Sequence, residues 1–257
     1  MKTICLDIGN TTAHVALFKH GEMIHQTRVM TPAISTSLPK ILEDFAPADH
    51  LAYCSVVPKF NVILEEIAQS KNLQIFNLNS KTCPIPIDYP KPEEIGQDRL
   101  ANAIGACALT ALPAVVIDMG TATTFDIISL GRGYIGGVIA PGLSLMCDYL
   151  HEKTALLPEI HYWKAPWPES CIGKSTKQAM EIGGVVGYTG MIKEILTNIT
   201  RSLQEQGIDN AAPSLLLTGG KAPFIEQALG VDCKNHPCLT LLGLEIACAR
   251  SLDPNGP

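Results

Sequence analysis

The sequence predicts an α/β protein built by duplication, with two similar α/β domains and a ligand-binding cleft between them. Three observations lead there. The apolar run Ile4-Cys5-Leu6 ends in Asp7-Ile8-Gly9-Asn10-Thr11-Thr12, and Val115-Val116-Ile117 ends in Asp118-Met119-Gly120-Thr121-Ala122-Thr123. Both are read against one Asp-x-Gly-x-Thr template. Each is followed by β-prone segments that give way to alternating helices and strands. A length of 257 residues suits one large domain or two of ordinary size. The expected boundaries are 1–112 and 113–252.

In the first half, residues 2–8, 12–19 and 22–29 read as three strands, with His20-Gly21 as the hairpin signal. Ser35 to Phe45 reads as a helix, Leu51 to Val57 as a buried strand, and Pro58 to Lys71 as an amphipathic helix. A strand at Leu73 to Asn77 is followed by a loop carrying Pro84, Pro86, Pro90 and Pro92, which suits a surface path. Glu94 to Leu112, rich in Ala and Leu, reads as a helix. The second half repeats the order, with strands at 114–118, 123–129 and 133–139 and a helix over about 142–152. A loop with Pro158, Pro166 and Pro168 precedes a long helix from about Ser175 to Gln206. A strand at Ser214 to Thr218, helices near 222–229 and 239–251, and a frayed tail from Asp253 complete the reading.

Composition narrows the function classes. Hydrophobic residues at 46% and charged residues at 17% fit a soluble globular protein rather than a disordered one. A net charge of −6 without a long Lys/Arg cluster argues against nucleic-acid binding as the main function. The N-terminus enters a strand without a basic segment and long apolar stretch, so no membrane span or signal peptide is expected, and the location is read as cytoplasmic. Nine cysteines, among them Cys5, Cys54, Cys107 and Cys248 in apolar runs, read as small buried hydrophobes in a reducing compartment. Cys233, His236 and Cys238 form a weak metal pattern with no second ligand pair.

The two acidic turns carry the first chemical signal. An Asp at a strand end can hold a cation or water, Gly admits an anion to the backbone, and Thr hydroxyls donate hydrogen bonds. Either turn alone could be an ordinary hairpin turn. Two in matching context suit a nucleoside triphosphate and its cation. The second signal is Gly96-Gln97-Asp98-Arg99 at a helix start. Asp98 there could simply favour the positive helix end, but Arg99 opposes the macrodipole, which suggests a placement for a carboxylate or phosphate. Asp98 could serve as base toward a hydroxyl. Gly136-Gly137 through Pro141-Gly142 and Thr218-Gly219-Gly220 are either plain junctions or close approaches of backbone to a ligand. Gly173-Lys174-Ser175-Thr176 lacks the earlier Gly and preceding strand of a lysine-bearing phosphate loop, which excludes that reading. Ser175 or Thr176 suits a helix cap.

Taken in order, Asp7-x-Gly9-Asn10-Thr11, Pro92-x-Glu94-x-Gly96-x-Asp98-Arg99, Asp118-x-Gly120-Thr121-Ala122-Thr123, Gly136-Gly137-x-Ile139-x-Pro141-Gly142, Gly173-x-x-Thr176 and Thr218-Gly219-Gly220 make the chain resemble the type III pantothenate kinases. That family belongs to the acetate kinase, sugar kinase, heat-shock ATPase and actin superfamily. The resemblance implies two duplicated ribonuclease-H-like domains in an actin-like ATPase architecture. It implies phosphorylation of pantothenate by Mg-ATP as the first step of coenzyme A synthesis, in a cytosolic homodimer. Asp7, Ile8, Gly9, Asn10, Thr11, Thr12, Ala13 and His14 would form the first ATP phosphate loop, and Thr121 would also contact ATP. Asp98 would be the general base. Tyr89, Gly96, Gln97, Asp98, Arg99 and Thr176 would line the pantothenate site, and Asp118 would hold a monovalent cation, K⁺ or NH₄⁺. Gln97 departs from the family's usual Ala. A kinase of another small hydroxy acid, and a non-catalytic accessory regulator of the same fold, remain open alternatives at this point.

Overall fold

In the computed structural model, which describes residues 1–161 and 167–253, the chain forms two mixed five-stranded sheets of identical strand order. The first contains β1 (Lys2–Ile8), β2 (Thr12–Lys19), β3 (Glu22–Met30), β4 (His50–Ser55) and β5 (Gln74–Asn77), ordered β3-β2-β1-β4-β5. The second contains β6 (Ala114–Met119), β7 (Ala122–Ser129), β8 (Gly133–Pro141), β9 (Ser214–Thr218) and β10 (Lys234–Asn235), ordered β10-β9-β6-β7-β8. Read from its other edge, that order repeats the first, and this repetition is the structural form of the duplication. The helices are α1 (Ile34–Asp44), α2 (Asn61–Ser70), α3 (Gln97–Leu109), α4 (Leu143–Glu152), α5 (Thr176–Glu205), α6 (Ala222–Leu229) and α7 (Leu239–Leu252). Pro166 and the tail beyond Asp253 lie outside the described residues.

Local chemistry explains the strand order. β1 is central and buries Ile4, Cys5, Leu6 and Ile8, pairing antiparallel with β2 (Ile8↔Ala13) and parallel with β4 (Ile8↔Ser55). β3 reads polar along Glu22, His25, Gln26 and Arg28 because it forms an edge. His20 (φ 53°) and Gly21 (φ 82°) turn β2 into β3 with positive φ at both positions, the pattern of a type I′ hairpin turn, whose twist matches that of the strands. α1 and α2 cover this sheet through Leu38, Leu42, Leu64 and Ala68.

The two compact units do not coincide with the linear halves 1–112 and 113–252. The first comprises Met1–Ala111, Gly131–Gly136 and Cys238–Pro257; the second comprises Leu112–Leu130 and Gly137–Pro237. The cause is α3, whose residues Leu100 to Ala106 are all buried and need cover on more than one side. α7 supplies it with Leu239, Leu241, Leu244 and Ala247. The helices meet closely because a Cβ on Gly243 would overlap the Ala101 carbonyl, and the buried Thr240 Oγ1 donates to Asn102 Oδ1 at 2.8 Å. α3 is also shorter than the expected 94–112. Pro92–Glu94 forms a separate 3₁₀ turn, Gly96 holds ψ at 136°, and Thr110 is extended at the other end.

The two acidic turns are related but not identical. Gly9 N–H donates to the Thr12 carbonyl, whereas Gly120 N–H donates to that of Ala122, each at 3.1 Å. Asp7 pairs with His14 and Asp118 with Thr124, so the second turn closes one residue sooner. The shared template is therefore corrected for the second copy, where Ala122 stands in the place of Thr11. The Pro-rich loop is mostly a surface path, as its composition suggests. It is tied down at Ile87, which bridges to Tyr134, and by Tyr134 N–H donating to the Pro86 carbonyl at 2.9 Å.

Candidate active site

In the first unit the expected acceptor residues gather at the carboxyl ends of β1 and β4, where ligands of α/β sheets bind. Asp7 is the penultimate residue of β1, and the Cys54 thiol of β4 donates to its Oδ1 at 3.6 Å. Burial pushes the Cys54 thiol well up, and the Asp7 and Asp98 carboxylates add to the shift, so both acids act on one point. Asn10, Thr11 and Thr12 are exposed on the turn. Thr31 braces it, its Oγ1 donating to the Gly9 carbonyl at 2.7 Å and its N–H to that of Thr11 at 3.0 Å. Ile8 and Ala13 are wholly buried and pair with each other across β1 and β2, holding the base of the turn. His14 donates from Nε2 to Gln26 Oε1 at 2.8 Å, and burial lowers its pKa, keeping the imidazole neutral.

Asp98 lies in the first turn of α3, after the N-cap Gly96. Its Oδ1 accepts the Arg99 N–H at 2.9 Å. A Cβ on Gly96 would stand 2.5 Å from that same oxygen, so the carboxylate occupies the space a side chain at 96 would need. Burial raises the Asp98 carboxyl above an ordinary aspartate, although the Arg99 backbone N–H and the guanidinium pull it down. A half-buried carboxylate with a raised pKa is a stronger proton acceptor than a free one, as a base toward an alcohol requires.

Arg99 is aimed by an aromatic side chain that the sequence reading passed over. Its guanidinium carbon lies 5.9 Å from the ring centroid of Tyr134, which is 1% exposed. Tyr89 meets Tyr134 edge-on with centroids 6.4 Å apart, and a Cβ on Gly136 would touch the Tyr89 ring at 3.6 Å. Gly131 and Gly133 mark the turn before Tyr134 in sequence, but no local spacing links position 134 to position 99. Gln97 opens α3 immediately before Asp98 and Arg99. Its side chain turns toward β4 and β5, where Oε1 accepts the Ser55 N–H at 2.7 Å.

The second unit holds Asp118, Thr121 and Thr176. Asp118 is the penultimate residue of β6 and lies beside Gly219, where a Cβ would come within 2.6 Å of Asp118 Oδ1 and of the Met119 backbone. Gly142 stands against the Gly120 and Thr121 carbonyls, 2.6 Å from the former to its would-be Cβ. Both glycines noted in the sequence are therefore required by close backbone approach around this turn. The fully buried Tyr188 of α5 bonds Thr123 through its hydroxyl at 2.6 Å, and burial raises the phenol, with the Asp118 charge adding to the shift. Thr176 is exposed at the start of α5, whose N-cap is Ser175, accepting the Gln178 N–H at 3.2 Å.

Among the described residues, no three His, Cys, Asp or Glu side chains converge as a metal cage. Cys238 donates to Gln26 Oε1 at 3.3 Å in the first unit, while Cys233 and His236 belong to the second. A single carboxylate near backbone carbonyls, as at Asp118, fits a weakly held cation or one shared with phosphate oxygens.

Two sheets of one repeated strand order, each with an acid near the end of its central strand, make the fold shared by actin-like ATPases and sugar kinases. Among solved structures, a protein assigned to the Baf family of transcriptional activators from Campylobacter jejuni is similar over 98% of this chain and 100% of that one (TM-score 0.63, 20% identity). A ROK hexokinase from Thermus thermophilus is similar over 96% and 98% (TM-score 0.52, 12% identity). A family model of type III pantothenate kinases matches residues 3–198. Relatives bearing that name include one from Akkermansia muciniphila, 40% identical over 98% of this chain and 100% of its own length. Another, from Methylacidiphilum infernorum, is 39% identical over 95% and 86%. The chain belongs to the type III pantothenate kinase family.

Proposed function

We propose that the protein transfers the terminal phosphoryl group of ATP to the primary hydroxyl of pantothenate, with Asp98 as general base. Family membership supports the reaction, the opening phosphorylation of coenzyme A synthesis. The observation that carries the residue assignment is the Asp98 carboxylate, lodged over Gly96 with a raised pKa and an arginine beside it. In the reaction the hydroxyl proton passes to the Asp98 carboxylate. The acceptor oxygen bonds the γ-phosphorus as the bond to the bridging oxygen breaks, and ADP leaves. Catalysis is then mainly positioning and electrostatics.

Turn residues Asp7 to His14 supply backbone N–H and hydroxyl groups for phosphates, and Thr121 does the same in the second unit. Asp118 would hold K⁺ or NH₄⁺, and Mg²⁺ would travel with ATP; these ions supply charge neutralisation at the phosphates. Tyr89, Gly96 and Arg99 would face pantothenate, as would Thr176. Arg99, held on Tyr134, suits the carboxylate. Arg99→Lys keeps the charge but loses the planar fork and the ring contact. We expect the pantothenate KM to rise about 10- to 100-fold, with the ATP KM within about twofold. Equal losses for both ligands would point to a structural role.

A homodimer is supported by apolar surface on the second unit, where Leu145 and Tyr149 of α4 and Val186 of α5 are exposed. All nine cysteines are free, which supports a reducing cytosol. No helix among the described residues is long and apolar enough to cross a membrane. The experiment that tests the reading is ADP release from purified protein with and without pantothenate, alongside other hydroxy acids, with the product identified by mass. Pantothenate-dependent ADP release is the expected result. Release driven better by another hydroxy acid would reassign the substrate, and none at all would favour a non-catalytic regulator.

A further inference from the structure

We propose that Gln97 is a positioning residue, a latch that ties the first turn of α3 to the carboxyl ends of β4 and β5 and so fixes the adjacent Asp98. The inference rests on Asp98 being the base. The last rung of the β4–β5 ladder is the Leu78 N–H donating to the Tyr53 carbonyl at 3.0 Å. Ser55 lies two residues beyond Tyr53 and therefore faces the same side, but β5 has ended at Asn77. The N–H of this buried residue needs an acceptor there, and Gln97 Oε1 supplies it at 2.7 Å in place of the missing rung. A backbone N–H can only donate, so the amide orientation is fixed by chemistry. Its NH₂ then points at Asn77 Oδ1, 3.4 Å away, which also accepts from Asn79 Nδ2 at 3.1 Å.

The latch matters because the start of α3, with Gly96 as its N-cap, carries no side-chain cap. Helix ends without caps fray. The Asp98 carboxylate takes its direction from this turn, through the Arg99 N–H at 2.9 Å and the open space over Gly96. One peptide bond separates the latch from the base. The other titratable or charged groups acting around Asp98 are Arg99 of α3 and Cys54 of β4, with Asp7 of β1 acting on the same thiol.

Two variants test this, with Asp98→Asn as reference. Gln97→Met keeps the length and removes the acceptor. Gln97→Glu keeps the acceptor, loses the donor and adds a charge near Asp98. In Gln97→Met the Ser55 amide should exchange with solvent about tenfold faster and kcat should fall about tenfold, with the ATP KM unchanged. Gln97→Glu should restore Ser55 protection and most of kcat at high pH. Its acid limb should move upward, because a neighbouring carboxylate disfavours ionisation of Asp98. Unchanged Ser55 exchange in Gln97→Met overturns the latch whatever Asp98 does. Faster exchange with unchanged kcat overturns the positioning role. A raised pantothenate KM with normal kcat in both variants would make Gln97 a substrate contact instead. Near-normal turnover of Asp98→Asn would overturn the base reading, a failure that Ser55 exchange reports separately.

Discussion

Asp98→Asn is expected to lower kcat by about 10²- to 10⁴-fold, the usual contribution of a positioned base, while leaving the protein at least as stable. The amide oxygen can still accept the Arg99 N–H that Asp98 Oδ1 accepts at 2.9 Å, so the helix start keeps its bond. What is lost is the capacity to take a proton. Burial raises this carboxyl in the folded state, so the folded protein binds its proton more tightly than the unfolded chain. That contribution to stability is complete below the unfolded pKa and is lost as pH rises through the higher folded one. At neutral pH the ionised group therefore opposes folding, and the neutral amide removes the opposition. Urea midpoints equal to or above the wild type, with turnover collapsed, are the expected pair. The wild-type acid limb of kcat/KM should lie above the pH at which an ordinary aspartate titrates. Gly96→Ala should give a milder version, since its φ of −56° suits alanine and only the Asp98 oxygen stands in the way. Full activity in Asp98→Asn would remove it from the base role.

The parts of the fold legible in the sequence were those governed by local pattern. Apolar runs at β1 and β6, the His20-Gly21 hairpin and the long α5 follow from periodicity and turn chemistry, and their bounds are close to those read. The two-residue β10 had no such signal, because a strand that short has no period. The placement of α7 was equally hidden. Leu239 to Leu252 reads as a helix anywhere, and only the need of α3 for cover puts it in the first unit. The site divides along the same line. Asp98 and Arg99 stood out because an arginine at a helix start is electrostatically odd. Tyr134 did not, since its relation to Arg99 arises from a strand contributed by a distant segment. Gln97 was read as lining the substrate because it sits inside a motif. Its side chain also completes a hydrogen-bond ladder whose gap appears only where β5 stops.

Withdrawal of potassium is expected to suppress turnover about tenfold or more, by the charge stabilisation a cation provides near transferring phosphates. Asp118 should be the residue through which it acts. Gly173-Lys174-Ser175-Thr176 is not a lysine-bearing phosphate loop that could offset the triphosphate charge, since Pro168 stands where that motif needs its first Gly. Asp118 lies one residue before the end of β6, and Gly219 leaves its Oδ1 room that a Cβ would fill at 2.6 Å. That oxygen and the Ala122 carbonyl flank Gly120, 3.8 and 3.6 Å from where a Cβ on it would stand. Hard oxygen donors with a single formal charge suit a weakly hydrated monovalent cation better than a divalent one, which would ask for more carboxylates. Replacing potassium with tetramethylammonium at constant ionic strength should therefore lower wild-type kcat while Mg²⁺ is saturating. Asp118→Asn should be poorly active in both salts, and its response to added potassium should flatten. The asparagine keeps an oxygen at the same place but removes the charge that holds the ion, so the potassium response is the diagnostic quantity rather than the activity itself. If the wild type turns over equally well in buffer freed of potassium and ammonium, Asp118 is not a cation ligand, and the triphosphate charge is offset by Mg²⁺ and the backbone turns alone.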